Sequence, residues 1–273
     1  LIFMAISVII STYNHPKWLE KTLWGYQLQS FKDFEVIIAD DGSDEETKNV
    51  ITAAQAELDF PIKHAWHEDN GFQKSMILNK ATLLTENDYL VFTDGDCIPH
   101  PEFLATHMNL SAQGRFLSGG YCKLPMDLSR LITKDDIQSG RVFDVKWLKK
   151  YGKFSGSSKR KLGFNAPFSA IADKFTTTKP TWNGCNSSTW RKNIIEVNGH
   201  NEEMQYGGQD REMGERLLNL GLKPMQIRHQ AVLLHLDHKR GYKTQESIDK
   251  NLKVRAETKQ SGVKRTPHGI EQL

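Results

Sequence analysis

Three uninterrupted apolar runs, each closed by a polar cluster, constrain the fold of this chain more than any other feature. Ile6-Ser-Val-Ile-Ile10 ends in Ser11-Thr-Tyr-Asn14, Phe34-Glu-Val-Ile-Ile-Ala39 ends in Asp40-Asp-Gly-Ser43, and Tyr89-Leu-Val-Phe-Thr93 ends in Asp94-Gly-Asp96. A strand apolar on both faces must be covered on both faces, as in parallel sheets flanked by helices. The segments between the runs have helical character. Pro16 suits a first helical turn, and Trp18, Leu19, Leu23, Tyr26 and Leu28 follow at roughly helical spacing. A second helix is expected to run through about Glu57, a short strand to cover Ile62–Trp66, and a third helix Ser75–Thr85. This alternation predicts an α/β fold with a single doubly wound, mostly parallel sheet flanked by helices. Ligands of such sheets sit at the carboxyl ends of the strands, where the three polar clusters fall.

The later chain is less regular. From about Leu124 to Lys179 the sequence is rich in Lys, Ser and Gly without clear periodicity, which predicts an insertion or loop over the sheet. Seven basic residues and no acidic one lie between Lys146 and Lys161. Arg211–Leu220 reads as a helix ended by Gly221 and Pro224, Ala231–Leu236 as a short strand, and Ser247–Thr258 as a helix in a charged tail. The net charge of +3 is too small to argue for a nucleic-acid partner. Cys97, Cys122 and Cys185 are odd in number and scattered, so a reducing, cytoplasmic setting is expected rather than a disulfide framework. No apolar run has the length of a membrane span, and Leu1–Ile10, without a basic leader or a small-residue cleavage site, reads as the first strand rather than a signal peptide.

Several clusters carry the chemistry. Two carboxylates on one turn, Asp94 and Asp96, can face a single hard divalent cation such as Mn²⁺ or Mg²⁺, although Asp-Gly pairs also simply form turns. His235-Leu-Asp-His238 follows another apolar run, and a neutral imidazole there could complete the cation's shell or be an ordinary core or surface histidine. In Tyr206-Gly-Gly-Gln-Asp210 the glycines let backbone approach a ligand, and Asp210 is either an N-terminal partner of the following helix or a general base. Asp40-Asp41 is a turn or an acceptor for a base or ribose. Neither G-x-G-x-x-G nor G-x-x-x-x-G-K-[ST] occurs, which counts against dehydrogenases and P-loop enzymes.

Taken together, Ser7–Asn14, Glu35–Ser43 and Asp94-Gly-Asp96 resemble the family-2 glycosyltransferases with the GT-A fold. Asn198–Glu203, Tyr206–Asp210 and Arg216-Leu-Leu218 are similar to the C-terminal signature of β-1,4-galactosyltransferases and bacterial chondroitin polymerases. The resemblance implies a nucleotide-sugar-binding half at 1–125, a mobile basic insertion at 126–180, an acceptor and catalytic half at 181–238 and a basic helical tail at 239–273. It implies that Ser11, Tyr13 and Asp41 line the base pocket and that Lys74 lies near the diphosphate. Asp94 would stand near the ribose or reach the metal through water, and Asp96 and His235 would hold Mn²⁺ or Mg²⁺. Asp210 would be the base, with Gly184, Asn186, Gly208 and Gln209 near the donor or acceptor sugar. Gln209 stands where the family has Glu, and Gly199-His-Asn-Glu202 replaces Gly-Phe-Asp-Glu.

The implied reaction is an inverting transfer of a sugar from a UDP-sugar to a carbohydrate acceptor, in bacterial surface polysaccharide or lipopolysaccharide synthesis. The residues speak against two other readings. A nucleotidyltransferase would show a Gly-rich basic loop after the first strand, where this chain has Ser11–His15. A non-catalytic glycan-binding module would leave Asp96, His235 and Asp210 without a common purpose. The basic stretch, with Trp147, Leu148, Tyr151 and Phe154 interleaved, either docks on an anionic membrane to meet a lipid-linked acceptor or is a solvated loop that could grip an acidic glycan.

Overall fold

The computed structural model describes residues 5–151, 156–163, 166–239 and 243–273. The first apolar run forms β1 (Ile6–Thr12), followed by α1 (Pro16–Gln27), β2 (Phe34–Asp40), α2 (Glu45–Glu57), β3 (Ile62–Trp66), α3 (Lys74–Leu83) and β4 (Tyr89–Asp94). The runs are continuous because both faces are covered. Ile6, Val8 and Ile10 pack with Leu19 and Leu23 of α1 on one face. Ile9 and Ile37 pack with Ile77 and Leu78 of α3 on the other. Pro16 opens α1, and Asp44 caps α2 by accepting from the Thr47 amide. β1 pairs in parallel with both β2 and β4, and its register sets Thr12 beside Asp40 and Ser11 beside Asp94. The three polar clusters therefore end side by side.

The chain continues through β5 (Cys97–Pro99), α4 (Phe103–Asn109), β6 (Arg115–Ser118) and β7 (Cys122–Lys123). The stretch expected as a loop instead forms α5 (Met126–Leu131), α6 (Lys134–Gln138), α7 (Val145–Leu148), α8 (Gly156–Gly163) and α9 (Ala166–Phe175). None exceeds ten residues, so a helical period hardly repeats within any one of them. Leu128, Ile137, Val142 and Leu148 nevertheless bury themselves against Ile98 and Leu234 in a third core. Leu148 is thus core, and Trp147 packs on Tyr151 with ring centroids 4.9 Å apart. Lys153, Phe154 and Arg240 lie outside the described residues.

The remaining elements are β8 (Ser187–Trp190), α10 (Arg191–Glu196), α11 (Gln209–Asn219), β9 (Lys223–Gln226), β10 (Leu233–His235) and α12 (Gln245–Ser261). The main sheet has the order β3-β2-β1-β4-β8-β6-β9, with β8 antiparallel to both neighbours. A second sheet, β5-β10-β7, joins the single sheet expected. β10 runs antiparallel to β5 with His235 opposite Cys97, and the Leu236 amide donates to Asp96 O at 2.8 Å. That pairing carries His235 next to Asp96.

A buried ion pair fixes α11. Arg216 Nε and Nη2 donate to the two Glu212 carboxylate oxygens at 2.8 and 2.9 Å, and Nη1 donates to Val197 O at 2.6 Å. Arg216 is fully buried, so it braces α11 against the end of α10 and does not reach solvent. Asn79 of α3 likewise bonds the backbone of His200 and the Glu202 carboxylate, so the Gly199–Glu202 piece is scaffolding for the loop before α11.

Candidate active site

A cavity of about 370 Å³ opens over the carboxyl ends of β1, β2 and β4. Ser11, Tyr13, Asp41, Lys74, Asp94 and Asp96 all line it. Asp94 Oδ1 accepts from Ser11 Oγ at 2.7 Å and Lys74 Nζ at 2.6 Å. Asp41 accepts from His67 Nε2 at 2.9 Å and from the Gln73 amide at 3.0 Å. Burial pushes the Asp41 carboxyl up, although His67 and the Gln73 amide oppose this. Tyr13 donates to Asp69 Oδ2 at 2.9 Å. His67 and Asp69 had no local signal in the sequence; they enter through the loop between β3 and α3.

Asp96 is the focus of a second group. His238 Nε2 lies 2.9 Å and His235 Nε2 3.6 Å from Asp96 Oδ2. Each imidazole directs its Nδ1 at a backbone carbonyl, His235 at Leu236 O (2.8 Å) and His238 at Lys239 O (2.9 Å). With Nδ1 turned to a carbonyl, each Nε2 faces Asp96, to which it donates when it carries a proton and beside which it offers a lone pair when it does not. Two imidazoles and a carboxylate drawn together in this way require positive charge among them, carried by protons or by a metal ion. Burial raises the Asp96 carboxyl, but the His238 hydrogen bond and the charges of His235 and His238 bring it down to about 2. Asp96 and His235 offer a divalent cation one carboxylate oxygen and one imidazole nitrogen, and His238 reaches the same carboxylate. Cys97 Sγ also falls within this cluster. Burial, first of all, holds its thiol well above the usual range, so it stays neutral and is a poor ligand for a hard cation. Asp94 is not a member of the cluster; its contacts are Ser11 and Lys74.

Asp210 stands apart, in the first turn of α11. Helix α11 begins at Gln209, earlier than the sequence suggests, because Gly208 at its N-cap adopts φ of 102°, a conformation that favours glycine. No backbone amide is capped by Asp210. Its Oδ1 is fully buried without a hydrogen-bond partner, while the residue as a whole remains partly open to the cavity. Burial raises its carboxyl, Asp94 adds to this and Lys74 opposes it. Gly184 leaves the room the carboxylate occupies, since a Cβ there would lie 2.5 Å from Asp210 Oδ1. Gln209 lines the same cavity and accepts from the Gly207 amide at 3.0 Å.

Asn186 does not line the site. It is fully buried, donates to Gly120 O and Ala231 O at 2.8 and 3.0 Å, and bonds His107 Nε2 at 3.1 Å through Oδ1. It braces the strands beneath, and Asn183 takes the place at the cavity. A second cavity of about 440 Å³ shares Tyr121, Asn183 and Asp210 with the first and includes Gly184 and Gly208 in its wall.

An open α/β sheet, with a carboxylate–histidine cluster at its strand ends and a separate carboxylate across the cavity, is the architecture of the GT-A fold. Residues 7–122 match the family Glycosyl transferase family 2, and residues 166–239 match N-terminal domain of galactosyltransferase. Over residues 7–122 the chain is thus similar to the family-2 glycosyltransferases. It is 26% identical to the uncharacterized glycosyltransferase YfnE of Bacillus subtilis, over 91% of this chain and 69% of that protein. It is 33% identical to the chondroitin synthase of Escherichia coli, over 41% of this chain but only 16% of the synthase. Among solved structures, Staphylococcus aureus TarS with UDP-GlcNAc superposes with a TM-score of 0.63 at 16% identity, covering 93% of this chain and 66% of that one. A Pyrobaculum calidifontis mannosyltransferase with GDP-Man and Mn²⁺ gives 0.58 at 16%, covering 94% and 70%. At such identities these structures speak for the fold.

Proposed function

We propose that this chain transfers a hexose-type sugar from a UDP-sugar to a glycan acceptor, with inversion and with a divalent cation. The observation that carries the reading is Asp210: one carboxylate, raised by burial, its Oδ1 without a hydrogen-bond partner among the described residues, at the junction of two cavities. The nucleotide would occupy the cavity over β1, β2 and β4, with Asp41 and Tyr13 beside the base. Lys74, held in place by Asp94, would lie near the diphosphate. Asp96 and His235 would hold the cation, with His238 within reach. When bound, Mn²⁺ or Mg²⁺ supplies positive charge against the leaving diphosphate. Asp210 takes the proton of an acceptor hydroxyl, that oxygen bonds to the anomeric carbon, and the bond to UDP breaks with its electron pair leaving on the diphosphate. A single displacement needs one base, the role this reading gives to Asp210, unlike the paired carboxylates of a retaining hydrolase.

Relatives support a glycan acceptor. They include the chondroitin synthase and a Campylobacter jejuni glucosyltransferase named for a GalNAc(5)-diNAcBac-PP-undecaprenol acceptor, 28% identical over 62% of this chain. Surface-polysaccharide synthesis is the setting we favour. The test is a panel of UDP-sugars scored by thermal shift with Mn²⁺ and with EDTA. Stabilisation by UDP and by one UDP-sugar is expected only with Mn²⁺, and Asp96→Ala and His235→Ala should each abolish it. Full binding and transfer in EDTA would refute the cation site.

A further inference from the structure

The second cavity carries an unusual excess of positive charge. Lys161, Lys179, Arg211 and Arg228 line it, and Asp210 is the only carboxylate in its wall. Among the described residues none of these four cations forms an ion pair with a carboxylate. Lys179 and Arg211 are exposed at the rim, but Lys161 is only 6% exposed. Its Nζ donates to Tyr121 O at 2.6 Å. Burial, and the nearby Arg228 charge, push the Lys161 ammonium down. Arg228 donates through Nη1 to Thr178 Oγ1, and its Nε is buried with no partner. A solvated basic face does not explain a buried lysine beside an arginine with an unused buried donor. Burying a cation without a counter-charge is costly unless a ligand brings one.

The cations sit where an acceptor would. This cavity meets the first at Asp210, Asn183 and Tyr121, so a molecule lying in it presents a hydroxyl to Asp210. The donor's diphosphate has its own partners around Lys74 and Asp96 in the first cavity. Building on the transferase reading above, we propose that the second cavity is an acceptor site selective for a glycan bearing an anionic group close to the accepting hydroxyl. Arg228 and Lys161 grip that group. The shared chemistry is a carboxylate or phosphate oxygen pair, which a guanidinium with free N–H donors binds well.

The test compares three matched oligosaccharides that differ only at the accepting end: neutral glucose, glucuronic acid, and a phosphorylated glucose. Calorimetric titration of the full chain with UDP and Mn²⁺ measures binding independently of turnover, and UDP release measures KM. At least one anionic oligosaccharide should bind about tenfold or more tightly than the neutral one, with the advantage shrinking at high salt. Whichever of the two gains identifies the source of the anion. Arg228→Gln should erase the advantage and leave UDP affinity within about twofold. Lys161→Met should act in the same direction, and Arg228, being half-buried, gives the variant expected to fold most readily. Equal binding of all three oligosaccharides would overturn the inference. So would loss of UDP affinity in Arg228→Gln, which would hand these cations to the donor. Failure of every UDP-sugar to bind would instead reject the transferase reading, and an anionic oligosaccharide bound without any UDP would then still report on the cavity itself.

Discussion

Replacing Asp210 with Asn keeps the shape of the side chain and removes its basicity and charge, and the structure predicts opposite effects on turnover and stability. A lost general base lowers turnover by roughly two to four orders of magnitude, about 2.7–5.4 kcal/mol of transition-state stabilisation. Asp210 Oδ1 has no hydrogen-bond partner among the described residues, so if Asp210 acts as the base UDP affinity should hold. Stability should change the other way. Burial raises the Asp210 carboxyl in the folded chain. The folded state therefore binds more protons than the unfolded state between an ordinary carboxylate value of about 3.9 and the raised one. Stability present below that window is lost as pH rises through the folded value. At neutral pH the ionised carboxylate is a burden that Asn removes, so the variant should melt higher than the parent at pH 7 and lose that advantage near pH 4. The parent's rate should climb with pH along a limb centred above the ordinary carboxylate value, and the variant should lack the limb. Single-turnover kinetics, UDP thermal shift and melting from pH 4 to 8 measure all of this. Lower melting with lost UDP binding and unchanged turnover of bound donor would make Asp210 a structural or donor-binding residue and refute the base.

Gly184→Ala should separate catalysis from folding. The clash at 2.5 Å is with the far end of the Asp210 side chain, which can swing aside; the melting temperature should change little, while turnover drops by at least tenfold. Arg216→Met should destabilise by about 3–5 kcal/mol, because it strands the buried Glu212 carboxylate without its partner. Urea unfolding checks this, and a loss under 1 kcal/mol would show that the pair is dispensable.

What could be read from the sequence follows from how local each signal is. β1, β2 and β4 announce themselves because strands covered on both faces have no polar side to interrupt the run, and parallel register then brings their polar ends together without further information. The helices of 126–175 escape notice because each is too short for its period to repeat, and their apolar residues belong to a core completed by Ile98 and Leu234 from elsewhere. The carboxylate–histidine cluster depends on the antiparallel pairing of β5 with β10, two strands far apart in the chain, so spacing alone could not choose between a ligand and a core histidine at 235. Asn186 was misplaced for a related reason: on the turn into β8 a shift of three residues decides between the cavity, where Asn183 lies, and the interior, where His107 waits. The second cavity is harder still. Lys161 and Arg228 come from α8 and from the turn after β9, and nothing in the run from Lys146 to Lys161 marks its last lysine as the one that folds inward. Charge counted along a sequence locates basic segments, whereas the side on which each charge lands depends on the packing of the third core. A chain that lines one cavity with four cations, and pairs none of them with a carboxylate among the described residues, has left that charge for the proposed acceptor to bring.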